Sequence, residues 1–445
     1  MTEKEIHTKY THICDNISER KLKPAFDQLE KLISEFNLNQ FNDECRNLEQ
    51  TYHYMLKYTV EGINDPERKK VYRHLIISVF ELADKVNEAL RIKYSSSVEY
   101  QKKKRFTNFF IVNFEDFLTG LEDYQANKEL QSLVNETLTK NTNKIKLDNE
   151  YQQKIRTVFY HFWFTDKIKS EDSLFLTKLL KGGVLTPSYQ SLIISGITLS
   201  LLRYFDEKKM SLLFDAFEKG EAEVRQRALI GILICFFKYD SRLQFLPSIY
   251  GRLVILNENH EFKKNLEWVI LQFIRSKETE KLQQKIRDEI IPEMIKISPN
   301  LKNKINLDSL MEEGLSDDKN PEWEEIFKDS PGLLNKMEEF SELQMEGADV
   351  FLGSFSMLKA FPFFSEISNW FIPFFIDNPE ISTEIDTSDP LNAKFLDTIS
   401  SAPILCNSDK YSFCFSLKNL PGENREMIVH GMEAEMNQFK ELEKE

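Results

Sequence analysis

Downstream of Pro66, the residues Tyr72, Ile76, Val79, Ala83, Val86 and Leu90 follow one another at alternating steps of four and three. Side chains at that spacing share one face of an α-helix but scatter over both faces of a strand. The stretch is therefore committed to a helix with a single apolar stripe. Asp65 supplies an N-cap oxygen and Pro66 a first-turn residue. Under three heptads are covered, so the stripe reads as half of an intramolecular helix pair, with a coiled coil to a partner as the other reading. Upstream, Leu22, Ala25, Leu29, Leu32 and Ile33 mark a second helix face.

Composition extends the helical reading to the whole chain. Of 445 residues only 14 are glycine and 14 proline, and the one glycine doublet is Gly182-Gly183, too little turn material for a many-stranded fold. At this length one core is not enough, which predicts two or three domains or a repeat array. The expected divisions are an N-terminal helical region at 1–145, a repeat region at 146–300, and a third region at 301–445. The polar stretch around 141–150 marks the first boundary. The longest apolar runs, 191–205 and 228–237, are shorter than the roughly 20 residues that cross a bilayer, and the N-terminus has no signal-peptide pattern. Five scattered cysteines without a CxxC pair suit a reducing, cytoplasmic setting.

Charge is uneven. The chain totals 58 Lys and Arg against 72 Asp and Glu, but residues 301–445 hold 12 basic against 29 acidic groups. The first 300 residues are close to neutral, with 46 basic and 43 acidic groups. Only the last third clearly repels nucleic acid.

Within the middle region, helical blocks alternate with short punctuation: KGGVLTP, FDEKK, KGEAE, KYDSR and NENHE. Such short links make neighbouring helices antiparallel. Thr186-Pro187 is one expected helix start and Asp240 another. SGITLSLLRY at 195–204 aligns without a gap on IGILICFFKY at 230–239, an offset of 35 residues that pairs Gly196 with Gly231, Arg203 with Lys238 and Tyr204 with Tyr239. These features predict stacked antiparallel hairpins with Leu199, Leu202, Leu229, Leu233 and Phe236 buried between them.

No catalytic signature emerges. There is no phosphate-binding glycine loop, GxGxxG or GxSxG. His260-Glu261 begins like a zinc helix, but Lys264 stands where the second histidine belongs. His161, among aromatics, reads as a core or boundary histidine. The Glu324-Glu325 pair reads as solvated surface. Cys406 and Cys414 have no histidine neighbour. The KKKR run at 102–105 is a solvated face or, alternatively, a phosphate contact. No cofactor or metal is expected. The aromatic segment at 351–375 packs eight phenylalanines and Trp370 into 25 residues broken by Pro362 and Pro373. Its simplest reading is a core knot with Trp370 inside. Otherwise Phe361, Phe363, Phe364, Trp370 and Phe374 line a groove for an apolar partner segment.

Several stretches carry a resemblance: NDPERKKVYRHL (64–75), VRQRALIGILICF (224–236), IRSKETEKLQQKIRDEIIPEM (274–294), EGADVFLGSFSMLKAFPFFSEISNWFIPF (346–374) and CNSDKYSFCFSL (406–417). Through them the chain resembles a group of Bacteroidetes proteins labelled tetratricopeptide-repeat proteins. The segment 21–36 also resembles the second helix of such a repeat, and 223–229 the inner helix of a HEAT repeat. The resemblance implies an all-α body of stacked hairpins, HEAT- or tetratricopeptide-like. It also implies a further C-terminal repeat portion, which fits the charged final helix (about 424–445) ending without a cap. It brings no site residues with it. The expected function is a non-catalytic scaffold for a protein partner, with nucleic-acid binding by the first 300 residues or an unrecognised enzyme as alternatives. Neither a membrane nor an oligomeric state is indicated.

Overall fold

The computed structural model describes residues 1–62, 66–109, 113–134, 141–181, 185–290, 292, 357–386, 389–402 and 405–417. The expectations for Asp65, Glu324-Glu325, 351–356 and the final helix fall outside them. Among the described residues every regular element is a helix. The chain divides into two compact units: Met1–Leu138 with Tyr151–Phe262, and Thr139–Glu150 with Lys263–Glu445. The N-terminal and middle helices expected on either side of residue 145 thus share one unit.

The first unit opens with α1 (Glu3–Ser18), α2 (Leu22–Glu35), α3 (Asn42–Val60) and α4 (Arg68–Tyr94). Thr2 and Glu5 form a reciprocal capping box at the start of α1, satisfying two N–H groups that the helix itself cannot. The two stripes read from sequence meet here: Leu22, Ala25, Leu29, Leu32 and Ile33 of α2 are buried with Ile76, Val79, Ala83, Val86 and Leu90 of α4. Tyr72 is half-buried at the edge. Next come α5 (Val98–Phe109) and α6 (Phe114–Val134). The following α7 (Asn141–Phe164) is helical through the polar stretch expected to be a break.

The stacked hairpins follow as α8 (Ser170–Lys181), α9 (Pro187–Arg203), α10 (Glu207–Lys219), α11 (Ala222–Leu243) and α12 (Pro247–Leu256). Pro187 and Pro247 occupy the first turns of α9 and α12, where a missing N–H is harmless. Helix α9 lies between α7 and α11, and α10 packs on α8, α9, α11 and α12. Close approach depends on the paired glycines. A Cβ on Gly196 would sit 3.0 Å from the Phe159 carbonyl, and one on Gly231 would collide with Thr198 Oγ1.

Two expectations fail here. Asp240 is not a cap, because α11 continues to Leu243 through a kink at Tyr239 (φ −112°, ψ 19°). The kink seats the Tyr239 ring in the core, with its hydroxyl donating to the Leu201 carbonyl, while Asp240 faces solvent. Of the five expected core residues only Leu229 is fully buried. Leu199, Leu202, Leu233 and Phe236 are half-buried, and the interior is filled by Ile193, Ile197, Leu201, Ile232 and Cys235. Two apolar faces per helix made the choice of register ambiguous.

In the second unit, α13 (His260–Lys285) extends beyond Phe262, and a described block covers most of 357–417. Three short 3₁₀ turns, Met357–Ala360, Pro362–Ser365 and Ile367–Trp370, precede α14 (Pro379–Glu384), α15 (Pro390–Ser401) and α16 (Asn407–Leu417). Pro379 and Pro390 each follow a side-chain cap, Asn378 and Asp389.

Candidate functional site

Three charged or polar side chains far apart in sequence converge inside the first unit. Arg242 of α11 donates to both oxygens of Asp84 on α4 at 2.6 Å and to the Tyr10 hydroxyl of α1 at 2.6 Å. Tyr10 in turn donates to Asp84. Phe80, Phe205 and Tyr239 surround the guanidinium, with ring centres 4.6, 5.6 and 5.0 Å from it. A second cluster joins α4 and α5 to the α7 and α9 ends. Lys103 reaches Glu88 at 2.6 Å and Asp166 at 2.7 Å, and Arg203 bonds the same two carboxylates. Burial works to raise the Asp166 carboxyl, but Arg203 and Lys103 outweigh it and hold it below its usual range. Lys209 is completely buried, with the carbonyls of Thr165 and Asp166 and the Ser200 hydroxyl around its Nζ.

Beside Arg242 lies a cleft of about 340 Å³, with Ile77, Phe80, Ile168, Phe205, Phe245 and Leu246 on its walls. Most of its charges are already committed. Lys167 pairs with Glu81 at 2.5 Å, Glu207 accepts from Ser248, and Asp206 accepts from the N–H groups of Lys208 and Ile168. These bonds terminate helices and tie loops. They leave the cleft an apolar recess rather than a set of converging polar groups of the kind a small ligand needs.

The surface offers more. Helix α11 turns Ile230 and Phe237 into solvent, 36% and 87% exposed, with Leu233 and Ile234 half-exposed beside them. At about 100° per residue these four share the face turned away from α10. The α10 side is instead marked by Phe236, edge-on to Phe214, and by Gly231 against Leu213. The residues 35 positions earlier include Thr198, Leu199 and Leu202, half-exposed on α9. Thr198 lies against Gly231, so the two helices pack closely here. Lys238 closes the row by donating to the Leu202 carbonyl. The side chain is exposed, yet desolvation by the protein around it is the main cause lowering its pKa, and the positive charge of Arg91 adds to the effect.

The residues singled out in the sequence are split by the structure. Phe363 and Phe364 are buried. Phe361 and Phe374 are half-buried, and Trp370 is 46% exposed, contrary to the expected core position. The short turns here close after four residues and leave Trp370 lying across Phe364 from outside, its Nε1 donating to the Phe364 carbonyl at 2.8 Å. The centre of this block is Tyr411. It is fully buried, with Phe363 and Phe374 rings 4.7 and 5.0 Å away, and its hydroxyl lies between Asn378 and the Pro373 carbonyl. Nearby, Cys406 lies 3.0 Å from Asp409, which also binds Lys359. Although Cys406 is exposed, desolvation around its sulfur and the carboxylate push the thiol pKa up, the reverse of an activated nucleophile.

His161 behaves as a boundary histidine, edge-on to Phe114 and 3.3 Å from Asp172. In the KKKR run, Lys103 is buried in the ionic cluster and Lys102 donates to Tyr160, so half the run is turned inward. Among the described residues no group of acids, histidines and cysteines is placed to hold a metal. Nor is any described helix long and apolar enough to cross a membrane. Comparison with family models, curated proteins and solved structures returned no match to this chain.

Proposed function

We propose that the protein is a helical-repeat scaffold, HEAT- or tetratricopeptide-like in its stacked hairpins, that binds a protein partner across the face of α9 and α11. One observation carries this reading: apolar side chains recur at a 35-residue offset on adjoining helices, half-buried at Leu199 and Leu202 on α9 and exposed at Phe237 on α11. A lone exposed apolar residue is ordinary, whereas a contiguous patch marks a contact surface. The buried ion pairs support a rigid platform, since they fasten α11 and α9 to the N-terminal helices. All five cysteines are unpaired and four are buried, which favours a reducing compartment such as the cytoplasm.

The test uses the purified chain carrying a photo-crosslinking residue at Phe237, compared with one at exposed Glu171 on α8. The expected result is one discrete protein crosslinked from position 237, competed by unlabelled protein and absent from position 171. Turnover of a small molecule together with no crosslinked partner overturns the reading.

A further inference from the structure

The chemistry of the partner can be read from the same face. We propose that the row formed by Leu199 and Leu202 on α9 and Ile230, Ile234 and Phe237 on α11 receives an acidic amphipathic helix of another protein, with one of its carboxylates at Lys238. This rests on the partner-binding role proposed above and commits it to one kind of occupant.

Shape and charge both enter the argument. The apolar row runs along two packed helices, and an amphipathic helix presents matching anchors at i, i+3 or i+4, and i+7. Phe237, 87% exposed, is a large side chain that folding alone does not use. Lys238 supplies the sign. It spends one N–H on the Leu202 carbonyl, and an ammonium has three to give. Among the described residues no carboxylate pairs with it. The carboxylate whose charge reaches it, Asp84, is held by Arg242. Arg91 acts on Lys238 with a second positive charge, donates to Asn87 and also acts on Glu99. Arg227, on the same helix, is set apart because Glu223 offsets it. A lysine at the edge of an apolar row, in no ion pair among the described residues, is complementary to a helix carrying carboxylates.

The experiment uses a fluorescein-labelled peptide of about 18 residues, five helical turns, with leucines on one face and glutamates elsewhere. A lysine-for-glutamate counterpart and a scrambled version are the controls. Fluorescence anisotropy with the full chain is expected to show binding of the acidic peptide and little of the other two. Phe237→Ala should weaken it by at least about tenfold, as truncating a central anchor does. Lys238→Glu should shift the preference toward the lysine peptide. Circular dichroism melts of both variants keep the comparison valid, because Phe237 lies outside the core. Equal binding of acidic and basic peptides, or wild-type affinity in Phe237→Ala, overturns the proposal. So does self-association of the chain that Phe237→Ala abolishes, which would assign the face to a second copy. A natural partner captured equally by wild type and by Phe237→Ala would leave the scaffold role standing and remove this surface from it. The absence of any partner would remove both.

Discussion

Arg242 and Asp84 meet through two hydrogen bonds of 2.6 Å across 158 positions of sequence. Both side chains are buried, so the pair exchanged its hydration for this single bidentate contact and the aromatic rings around it. Tyr10 closes the arrangement from α1 and uses the remaining acceptor capacity of Asp84. One residue of α11 thereby fixes the position of two N-terminal helices.

Removing only one partner leaves a buried charge with no counterpart, which typically costs about 3–5 kcal/mol. Asp84→Ala and Arg242→Ala should each lower unfolding stability by that order. Replacing both together with Tyr10, as Asp84→Leu, Arg242→Met and Tyr10→Phe, should recover most of the loss. Urea unfolding of the three proteins checks this. A triple variant as unstable as the single ones would mean the pair contributes more than satisfied burial.

Lys209 makes stability depend on pH. Burial pulls its pKa down to about 7, against the opposing charge of Asp206. An unfolded lysine titrates near about 10.4. Between those values the unfolded chain binds more protons than the folded one, so this group makes stability rise with pH from about 7 to about 10. Buried tyrosines and cysteines with raised pKa values, such as Tyr100 and Cys45, pull the other way above about pH 9. The comparison must therefore be differential. Wild type minus Lys209→Met, followed by denaturant unfolding from pH 6 to 10, should give a positive slope. A flat difference would place the ammonium fully charged throughout, held by its three oxygen neighbours.

How much of this was legible in the sequence depended on whether the signal was periodic. The stripes of α2 and α4 were readable because one face carries nearly all their apolar side chains. Helices α9 and α11 are apolar almost all round, and periodicity cannot then say which face turns inward. Leu233 and Phe236 looked as much like core as Ile232 and Cys235 did. Asp84, Glu88, Lys103 and Lys209 were invisible for another reason. A charged residue on an amphipathic helix normally marks the solvated side, and only the tertiary partner reverses that. The alignment of Arg203 with Lys238 held the one available hint, a basic residue recurring at the end of an apolar run. The block around Tyr411 depends on short turns whose geometry no repeat announces, so Trp370 was placed inside when it lies outside.

The joint between α9 and α11 should resist enlargement. A Cβ added at Gly231 would collide with Thr198 Oγ1 and lie 3.2 Å from a Leu213 methyl, and Thr198 is itself bonded to the Ile194 carbonyl. Gly231→Ala should cost about 1–3 kcal/mol through overpacking, despite the better helix propensity of alanine. Adding Thr198→Ala removes the colliding hydroxyl and should restore part of the stability. Thermal melts of the single and double variants check the pair. A Gly231→Ala protein more stable than wild type would mean the helices can separate at no cost.

The register of α11 yields the sharpest test of what the interior is. Ile232 is buried to 1% exposure, whereas its neighbour Leu233 is only half-buried. About 100° of rotation separates them, enough to carry one into the core and the other toward the apolar surface row. Ile232→Ala should cost about 2–5 kcal/mol, the usual range for a large aliphatic truncated inside a core. Leu233→Ala gives up less buried area and leaves no closed cavity, because solvent reaches the site, so its loss should be about 1 kcal/mol, in the ordinary range for single substitutions. The two variants differ by one position and have nearly the same chemistry, so helix propensity and denatured-state effects largely cancel between them. Equal losses in denaturant unfolding would mean that α11 is rotated and that Phe237, with the row it belongs to, faces inward.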